Sequence, residues 1–185
     1  MGSNNGLASF LEDDIIPYNP MDEFTKWSLI NEDIPSYFGS NTERGMAYSD
    51  GKVFVVSRNG PEHHVFVHNA ANGEIVDTLA APSVRTGYFP INCAEGTDDG
   101  KLLICNMTLN ANEAAPFMVY KWNATSAVWD TLVSYAGGGR MGDMFSSYGK
   151  LSDNSIAIYA GAGNTSKIVK FTTTDNGATF TAEEI

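Results

Sequence analysis

The amino-acid sequence predicts an all-β protein, and two observations carry this prediction. A unit of about fifty residues occurs three times, and each copy contains two strand–turn–strand pairs. No segment shows the sustained periodicity of an amphipathic helix. Repeats of this size with four short strands are typical of β-propeller blades. We therefore expect a β-propeller-like fold of three consecutive four-stranded blades plus a leading strand, which is a partial propeller.

The N-terminal part precedes the repeats. Residues 1–22 are polar, contain two prolines, and are expected to form an arm that is mobile or loosely docked. The partial propeller is expected over residues 23–185. Its leading strand is placed at residues 24–30, FTKWSLI, with Phe24 and Trp27 as packing residues.

The first blade is expected at about residues 44–81. Its first hairpin turns at Asp50-Gly51 and its second at Asn72-Gly73. Asp-Gly or Asn-Gly between apolar runs is a strong signal for a tight hairpin. Both halves of this blade are therefore predicted as antiparallel pairs.

The second and third blades are expected at about residues 85–135 and 140–185. Equivalent turns fall at 98–100 and 123–126 in the second blade, and at 153–154 and 175–177 in the third. The apolar runs VFVV, KLLI and SIAIYA are nearly continuous, a pattern typical of strands buried on both faces.

A local motif lies at the last of these turns. Residues 173–180, TTDNGATF, fit the pattern S/T-x-D-x-G-x-T-W/F and resemble the Asp-box of sialidase-like propellers. The aspartate is expected to cap backbone N–H groups, the glycine to adopt positive φ, and the aromatic ring to pack below. The motif marks a fold and carries no catalysis.

The span from about residue 27 to 185 also resembles a family of secreted gut-bacterial β-propeller proteins of unknown function. The resemblance rests on the segments RGMAYSDGKVFVVSR, LLICNMT, PFMVYKWN, SYAGGGRMGDMFS and KIVKFTTTDNGATFTAE. It implies a propeller fold and an extracellular or periplasmic location, and it implies no reaction. The chain itself begins without the basic and apolar regions of a signal peptide.

Members of that family are usually longer, and propellers usually have about four to eight blades. Three blades leave sheet faces uncovered. We expect these faces to be covered by the remainder of a longer propeller, by a second copy of the chain in a homo-oligomer, or by the N-terminal arm.

Net charge excludes two classes of partner. The chain carries 22 acidic and 11 basic residues, a formal net charge of −11. It would repel the phosphates of nucleic acids and the surface of an anionic membrane, so neither is an expected partner.

A repeated arginine gives the sharpest candidate site. Arg44, Arg85 and Arg140 each lie at the start of a blade, just before its predicted innermost strand, and are expected on one face of the propeller. With Tyr88 and Asp143 they form the predicted ligand-binding set. Clustered arginines bind carboxylates, so the expected partner is an acidic glycan or another small anion. Alternatively, each arginine pairs with an acidic neighbour, for which Glu43, Glu95 and Asp143 are available.

Three functions follow from these features. The main hypothesis is a non-catalytic ligand-binding or interaction module of an exported bacterial protein, with glycans as the expected ligands. The first alternative is a sialidase-like glycosidase fragment that draws on Asp143, Glu95, Tyr48 and Tyr88. The second is a structural scaffold domain. No cofactor and no metal are expected.

The remaining chemistry-bearing residues have structural interpretations. Cys93 and Cys105 are expected to face each other across a hairpin, either as a disulfide or as free thiols. His64 and His68 lie about 13 Å apart along a strand, too far to share a metal, and the histidines are expected at the surface. Trp122 and Trp129 are expected to pack between blades.

Overall fold

The computed structural model describes residues 26–60, 62–81, 84 and 87–185, and these form three four-stranded sheets. The first sheet contains β1 (Glu43–Ser49), β2 (Lys52–Ser57), β3 (His64–Asn69) and β4 (Ile75–Ala80). The second contains β5 (Phe89–Gly96), β6 (Leu102–Met107), β7 (Phe117–Asn123) and β8 (Val128–Tyr135). The third contains β9 (Phe145–Tyr148), β10 (Ala157–Gly161), β11 (Ile168–Thr172) and β12 (Thr181–Glu184).

Each sheet is an antiparallel meander in which the strands follow chain order. The hairpins turn where the glycine- and asparagine-containing turns predict them. At the first turn both Asp50 and Gly51 adopt positive φ, 48° and 70°, as a tight two-residue turn requires. The all-β, propeller-like fold predicted from the repeats is thus confirmed. The helical structure in the described part of the chain is a three-residue turn at Asn31–Asp33. Among the described residues, no helix is long and apolar enough to cross a membrane.

The innermost strands β1, β5 and β9 lie side by side. A Cβ added at Gly45 of β1 would lie 2.5 Å from Cα of Cys93 in β5, so the two backbones touch directly. Farther along, a Cβ at Gly96 would lie 2.6 Å from the carbonyl oxygen of Tyr48. This register makes β1 and β5 parallel, so both begin at the same end of the molecule. We call it the entry end, and the end with the β1–β2 and β5–β6 turns the turn end.

The second sheet is buried on both faces, as its apolar sequence predicts. All six residues of β6 are buried. One core lies between the first and second sheets and includes Val56, Ile91 and Ile104. A second lies between the second and third sheets and includes Phe117 and Phe171, whose rings pack with centroids 6.0 Å apart.

The two tryptophans of the second sheet pack as expected against the first. Trp129 is 6% exposed, and its indole N–H donates to the carbonyl of Ala80 at 3.0 Å. Trp122 contacts the same core and lies 5.1 Å from Trp129 between ring centroids.

Backbone hydrogen bonds join the second and third sheets at the turn end. The N–H of Asp98 donates to the carbonyl of Gly149 at 3.0 Å, and the N–H of Gly149 donates back to the Asp98 carboxylate at 3.2 Å. The carboxylate of Asp99 accepts from the N–H groups of Leu151 and Ser152 at 3.3 and 3.2 Å. These bonds hold the loop after β9 against the β5–β6 turn.

The prediction of a leading strand is wrong over residues 26–30, which form no strand. The rest of that strand, Phe24 and Thr25, lies outside the described residues, as does the arm expected at residues 1–22. Trp27 contacts the β3–β4 turn instead. Its indole N–H donates to the carbonyl of Ala70 at 2.9 Å, and its ring stacks on His68 at 6.4 Å. Trp27 therefore packs on a turn, and residues 26–30 form no strand pairing.

The expectation of surface histidines is also wrong for His68, which is 2% exposed. The ring of Tyr37 stacks on Phe66 with centroids 3.7 Å apart and interplanar angle 7°, and Phe38 packs beside it. Together with Trp27, these rings cover part of the outer face of the first sheet. That cover is the reason a histidine in an alternating strand becomes buried.

The outer face of the third sheet has no comparable cover among the described residues. Tyr148 is 73% exposed and Ile168 is 46% exposed on this face. The two ends of the row of sheets therefore differ.

The turn at residues 173–180 has the local geometry that its residues predict. The Asp175 carboxylate accepts from the backbone N–H of Thr179 at 2.8 Å and from its hydroxyl at 2.6 Å. Gly177 has φ of 82°, and Phe180 packs against the core between the second and third sheets. The hydrogen bonds from Thr179 lower the pKa of Asp175 to about 2.

Cys93 and Cys105 are directly opposite in β5 and β6, as expected from the hairpin. Of the two alternatives, the structure has free thiols, both buried. Burial raises the pKa of each thiol.

Candidate functional site

A pocket of about 450 Å³ opens at the entry end, between the first and second sheets. It brings together two of the predicted ligand-binding residues, Arg44 and Tyr88. Arg44 is exposed at the start of β1, and Tyr88, 62% exposed, immediately precedes β5. The other lining residues are Asn41, Thr42, Arg58, His63, Phe89 and Pro90. We call this the entry pocket. Its volume lies within the range of small-molecule sites, about 300–1,000 Å³.

Arg58 forms one wall of the entry pocket. It follows β2, and its guanidinium carbon lies 3.6 Å from the centroid of the Phe89 ring at the start of β5. Its Nη2 approaches the carbonyl oxygen of Asn41 at 3.5 Å, a long hydrogen bond. Nε and Nη1 are shielded from solvent and have no hydrogen-bond partner among the described residues. Burial, and then the positive charge of Arg44, lower the pKa of Arg58.

His63 lies in the same pocket, just before β3. Its Nδ1 is also shielded from solvent and lacks a hydrogen-bond partner within the part of the chain that is described. Burial lowers the pKa of His63, and the charges of Arg58 and His64 lower it further. His63 is therefore neutral at neutral pH and becomes easier to protonate if an anion offsets the charge of Arg58.

Unmet hydrogen-bonding capacity is concentrated here. The described residues contain four buried side-chain polar atoms without a partner, and three belong to Arg58 and His63. Buried polar groups are nearly always hydrogen-bonded, because an unpaired donor costs roughly 1–3 kcal/mol. Arg58 and His63 thus keep hydrogen-bonding capacity that the described residues do not use, and both side chains border the same cavity.

Arg44 does not pair with its acidic neighbour. The Glu43 carboxylate accepts instead from the Ser57 hydroxyl at 2.7 Å and from the N–H of Gly39 at 2.9 Å. Burial alone would raise the pKa of Glu43, but these hydrogen bonds and that from Thr42 outweigh it and lower the pKa. Arg44 forms no ion pair among the residues that the structure describes, so its charge is available to the entry pocket.

Arg140 and Asp143 pair with each other. The Arg140 Nε donates to Asp143 Oδ2 at 2.6 Å, and Nη2 donates to Oδ1. The hydrogen bond from Arg140 lowers the pKa of Asp143, to which the nearby charge of Arg44 also contributes. Asn92 of β5 donates to the carbonyl oxygens of Gly142 and Asp143 at 2.8 and 3.3 Å, which places this pair at the entry end. The pairing expected as the alternative for each arginine thus holds at Arg140 and not at Arg44.

Three further sequence candidates have different placements. Arg85 lies outside the described residues. Tyr48 lies near the turn end of β1, in a pocket with residues 96–101, and so is separated from Tyr88 in the entry pocket. Glu95 is half-buried in β5, and burial raises its pKa. In the described part of the chain, no group of three His, Cys, Asp or Glu side chains is placed to hold a metal ion.

Sequence reasoning missed Arg58 and His63 as pocket residues. Neither lies at a position that recurs in all three repeats, so the repeat-based search for arginines did not select them. The signal was their place in the chain: both lie in the β2–β3 connection, which returns to the entry end because β1 and β2 are antiparallel.

The fold resembles that of a DUF4623 family protein from the gut bacterium Bacteroides eggerthii, with a TM-score of 0.68 and 20% sequence identity. The match covers 85% of this chain and 38% of that chain, so this chain spans less than two fifths of the length of its neighbour. No protein-family model and no curated protein matches the sequence. The likeness supports the all-β, repeated-sheet architecture, and the neighbour's family is itself named as one of unknown function.

Proposed function

We propose that this chain is a non-catalytic ligand-binding module whose entry pocket holds a small anionic ligand. The observation that carries the proposal is the convergence of Arg44, Arg58 and His63 on one cavity, with Arg44 in no ion pair among the described residues. A carboxylate bound there would pair with the guanidinium groups of Arg44 and Arg58. Charge-assisted hydrogen bonds of this kind are stronger than neutral ones.

An acidic sugar is the ligand class that best fits the pocket. The exposed ring of Tyr88 offers an apolar surface for a sugar ring beside the cationic wall. Asn41 and Thr42 supply short polar groups at the rim. Binding of acidic glycans would suit a module of an exported bacterial protein, which is the location we propose.

The test is calorimetric titration with sialyllactose and with galacturonic and glucuronic acid oligosaccharides. We expect one site per chain and an Arg58→Gln variant that binds at least about tenfold more weakly, as loss of a charged hydrogen bond predicts. Arg44→Gln should weaken binding as well. Lys150→Gln, which removes an exposed charge in the β9–β10 connection, is the matched control and should bind like the parent.

Two results would contradict the proposal. One is the absence of binding for every acidic sugar and for simple carboxylates at millimolar concentration. The other is equal affinity of the parent and Arg58→Gln proteins. Release of free acidic sugar during the titration would instead favour the glycosidase alternative.

We also propose that the outer face of the third sheet contacts a second copy of this chain. Tyr159, Lys170 and Glu183 lie in one row across β10, β11 and β12 on this face. Because the row holds one basic and one acidic side chain, two copies related by a two-fold axis could pair Lys170 with Glu183 reciprocally. The exposed Tyr148 and Ile168 would be buried by the same contact.

A further inference from the structure

A second concavity of about 600 Å³ lies between the first and second sheets at the turn end, opposite the entry pocket. The first sheet contributes Lys52, Phe54 and Leu79, and the second contributes Lys101, Lys121 and Trp122. We call it the turn-end groove. None of its lining residues lines the entry pocket.

The floor of the turn-end groove is apolar. Phe54, Leu79 and Leu102 belong to the core between the first two sheets and are at most 9% exposed. Val76 stands at the margin with 52% of its surface exposed, and Trp122 forms part of the opposite wall. A flat apolar body resting on this floor would cover the exposed surface of Val76 beside Trp122.

The groove also carries an excess of cations. Lys121 is 3.7 Å from the Asp130 carboxylate, which balances its charge. Lys52 and Lys101 form no ion pair within the described residues. Asp77 is the one carboxylate in the lining, and its Oδ1 accepts the N–H of Thr78 at 2.7 Å.

The repeat explains why two unpaired lysines meet in one groove. Lys52 and Lys101 each follow the glycine of the first turn in their blade, in the equivalent sequences Asp-Gly-Lys. These turns approach each other, since a Cβ added at Gly100 would lie 4.0 Å from Cβ of Asp50. Asp50 lines the adjacent concavity together with Asp98 and Asp99, and Lys101 lies between that concavity and the groove.

We propose that the turn-end groove binds a second ligand class: an anion with an apolar aromatic body. The aromatic body lies on the floor formed by Phe54, Leu79 and Leu102, beside Trp122. The acidic group lies between Lys52 and Lys101. This site is distinct in residues and chemistry from the entry pocket, where arginine and histidine side chains favour a polar, sugar-like anion.

The probe for this site is 8-anilinonaphthalene-1-sulfonate, an aromatic sulfonate whose fluorescence rises in apolar surroundings. We expect saturable binding to the folded protein and about tenfold weaker binding by a Lys52→Gln, Lys101→Gln double variant. A Lys150→Gln, Lys167→Gln double variant loses the same charge elsewhere and should bind like the parent. Transfer of excitation energy from tryptophan to the bound dye should fall in Trp122→Phe.

The inference is overturned if the Lys52→Gln, Lys101→Gln variant binds the dye as tightly as the parent. It is also overturned if the control double variant loses as much affinity for the dye. Circular dichroism and urea midpoints show whether each variant is folded, and Lys52→Arg, Lys101→Arg, which keeps both charges, should restore binding. The Arg58→Gln protein should bind the dye like the parent. Failure of the entry-pocket proposal and failure of this one are therefore distinguishable.

Discussion

The hydroxyl of Tyr37 lies 2.6 Å from Nε2 of His68, and both residues are buried. The other ring nitrogen, Nδ1, lies 2.8 Å from the carbonyl oxygen of Gly73. Because a carbonyl only accepts, Nδ1 carries the proton, and Nε2 accepts from the tyrosine. This chain of hydrogen bonds ties the segment before β1 to strand β3 and to the β3–β4 turn.

Replacement of Tyr37 by phenylalanine should destabilise the protein by about 1–3 kcal/mol, because it leaves a buried histidine acceptor without a donor. Urea denaturation gives the free energy of unfolding. The matched control is Tyr88→Phe at an exposed position, which should change stability by less than about 0.5 kcal/mol. Equal effects of the two substitutions would show that the hydroxyl of Tyr37 does not hold the segment in place.

Replacement of Gly45 by alanine should destabilise the protein by about 1–3 kcal/mol, as overpacking of a tight contact does. The added Cβ would lie 2.5 Å from Cα of Cys93, and backbone cannot move aside as a side-chain tip can. Gly161→Ala is the control, since a Cβ there meets nothing within 4 Å. Thermal unfolding of both variants checks the prediction, which fails if Gly45→Ala is as stable as the control.

Acid stability should depend on Asp175. Its folded pKa of about 2 lies below the ordinary value of 3.8, so its ionised form stabilises the fold. That stabilisation is fully present above about pH 4 and is lost as the pH falls through about 2. Asp175→Asn should therefore be less stable than the parent near pH 6, and the difference should shrink towards pH 2.

Urea midpoints measured across this pH range test the prediction. Thr179→Val should show a reduced pH dependence, because it removes the hydroxyl that donates to Asp175 at 2.6 Å. Thr179→Ser keeps a hydroxyl and should resemble the parent. If the difference in stability between the parent and Asp175→Asn stays constant over this pH range, the stabilising role of the ionised Asp175 is contradicted.

The two thiols should be unreactive in the folded protein. Burial raises the pKa of Cys93 and Cys105, and both thiolate fraction and access limit the reaction. Ellman's reagent should label neither in native buffer and both in guanidinium without prior reduction. Labelling that requires reduction would show that a disulfide joins β5 to β6.

A dimer formed through the outer face of the third sheet should be detectable from its molecular mass in solution. Light scattering should give about twice the chain mass of 20.0 kDa, and Lys170→Glu should shift the population to single chains by placing like charges together. A parent protein that is a single chain at all concentrations would contradict this contact. The outer face of the third sheet would then be open to further sheets of a longer propeller.

The sequence was sufficient for the strands because each blade combines local signals that agree. Asp-Gly and Asn-Gly turns predict where the hairpins lie. Continuous apolar runs such as LLIC identify the sheet that packs against a neighbouring sheet on each face. The prediction failed at Trp27 because aromatic residues favour strands in general, whereas this ring packs on the β3–β4 turn. It failed at His68 for a similar reason, since the cover over that side chain comes from a loop about thirty residues earlier in the chain.

The candidate site shows the same limit. Arg44 was found because an arginine recurs at the start of each blade, and Tyr88 because it lies close to that position in the second blade. Arg58 and His63 were not found, because a pocket between two sheets takes side chains from connections that no repeat pattern marks. Arg140 was found but carries a partner three residues away, a local pairing that sequence spacing allows without requiring it.

The way the sheets are joined has a consequence for unfolding. Backbone hydrogen bonds connect the second and third sheets at the turn end, and the bridge between Thr108 and Met141 connects the same two sheets elsewhere. Among the described residues, the first and second sheets are joined by packing and by the hydrogen bond from Trp129 to Ala80, and by no backbone–backbone hydrogen bond. The last two blades should thus open as one cooperative unit, with the first blade detaching at lower cost, so hydrogen exchange in β1 to β4 should report a free energy below the global value.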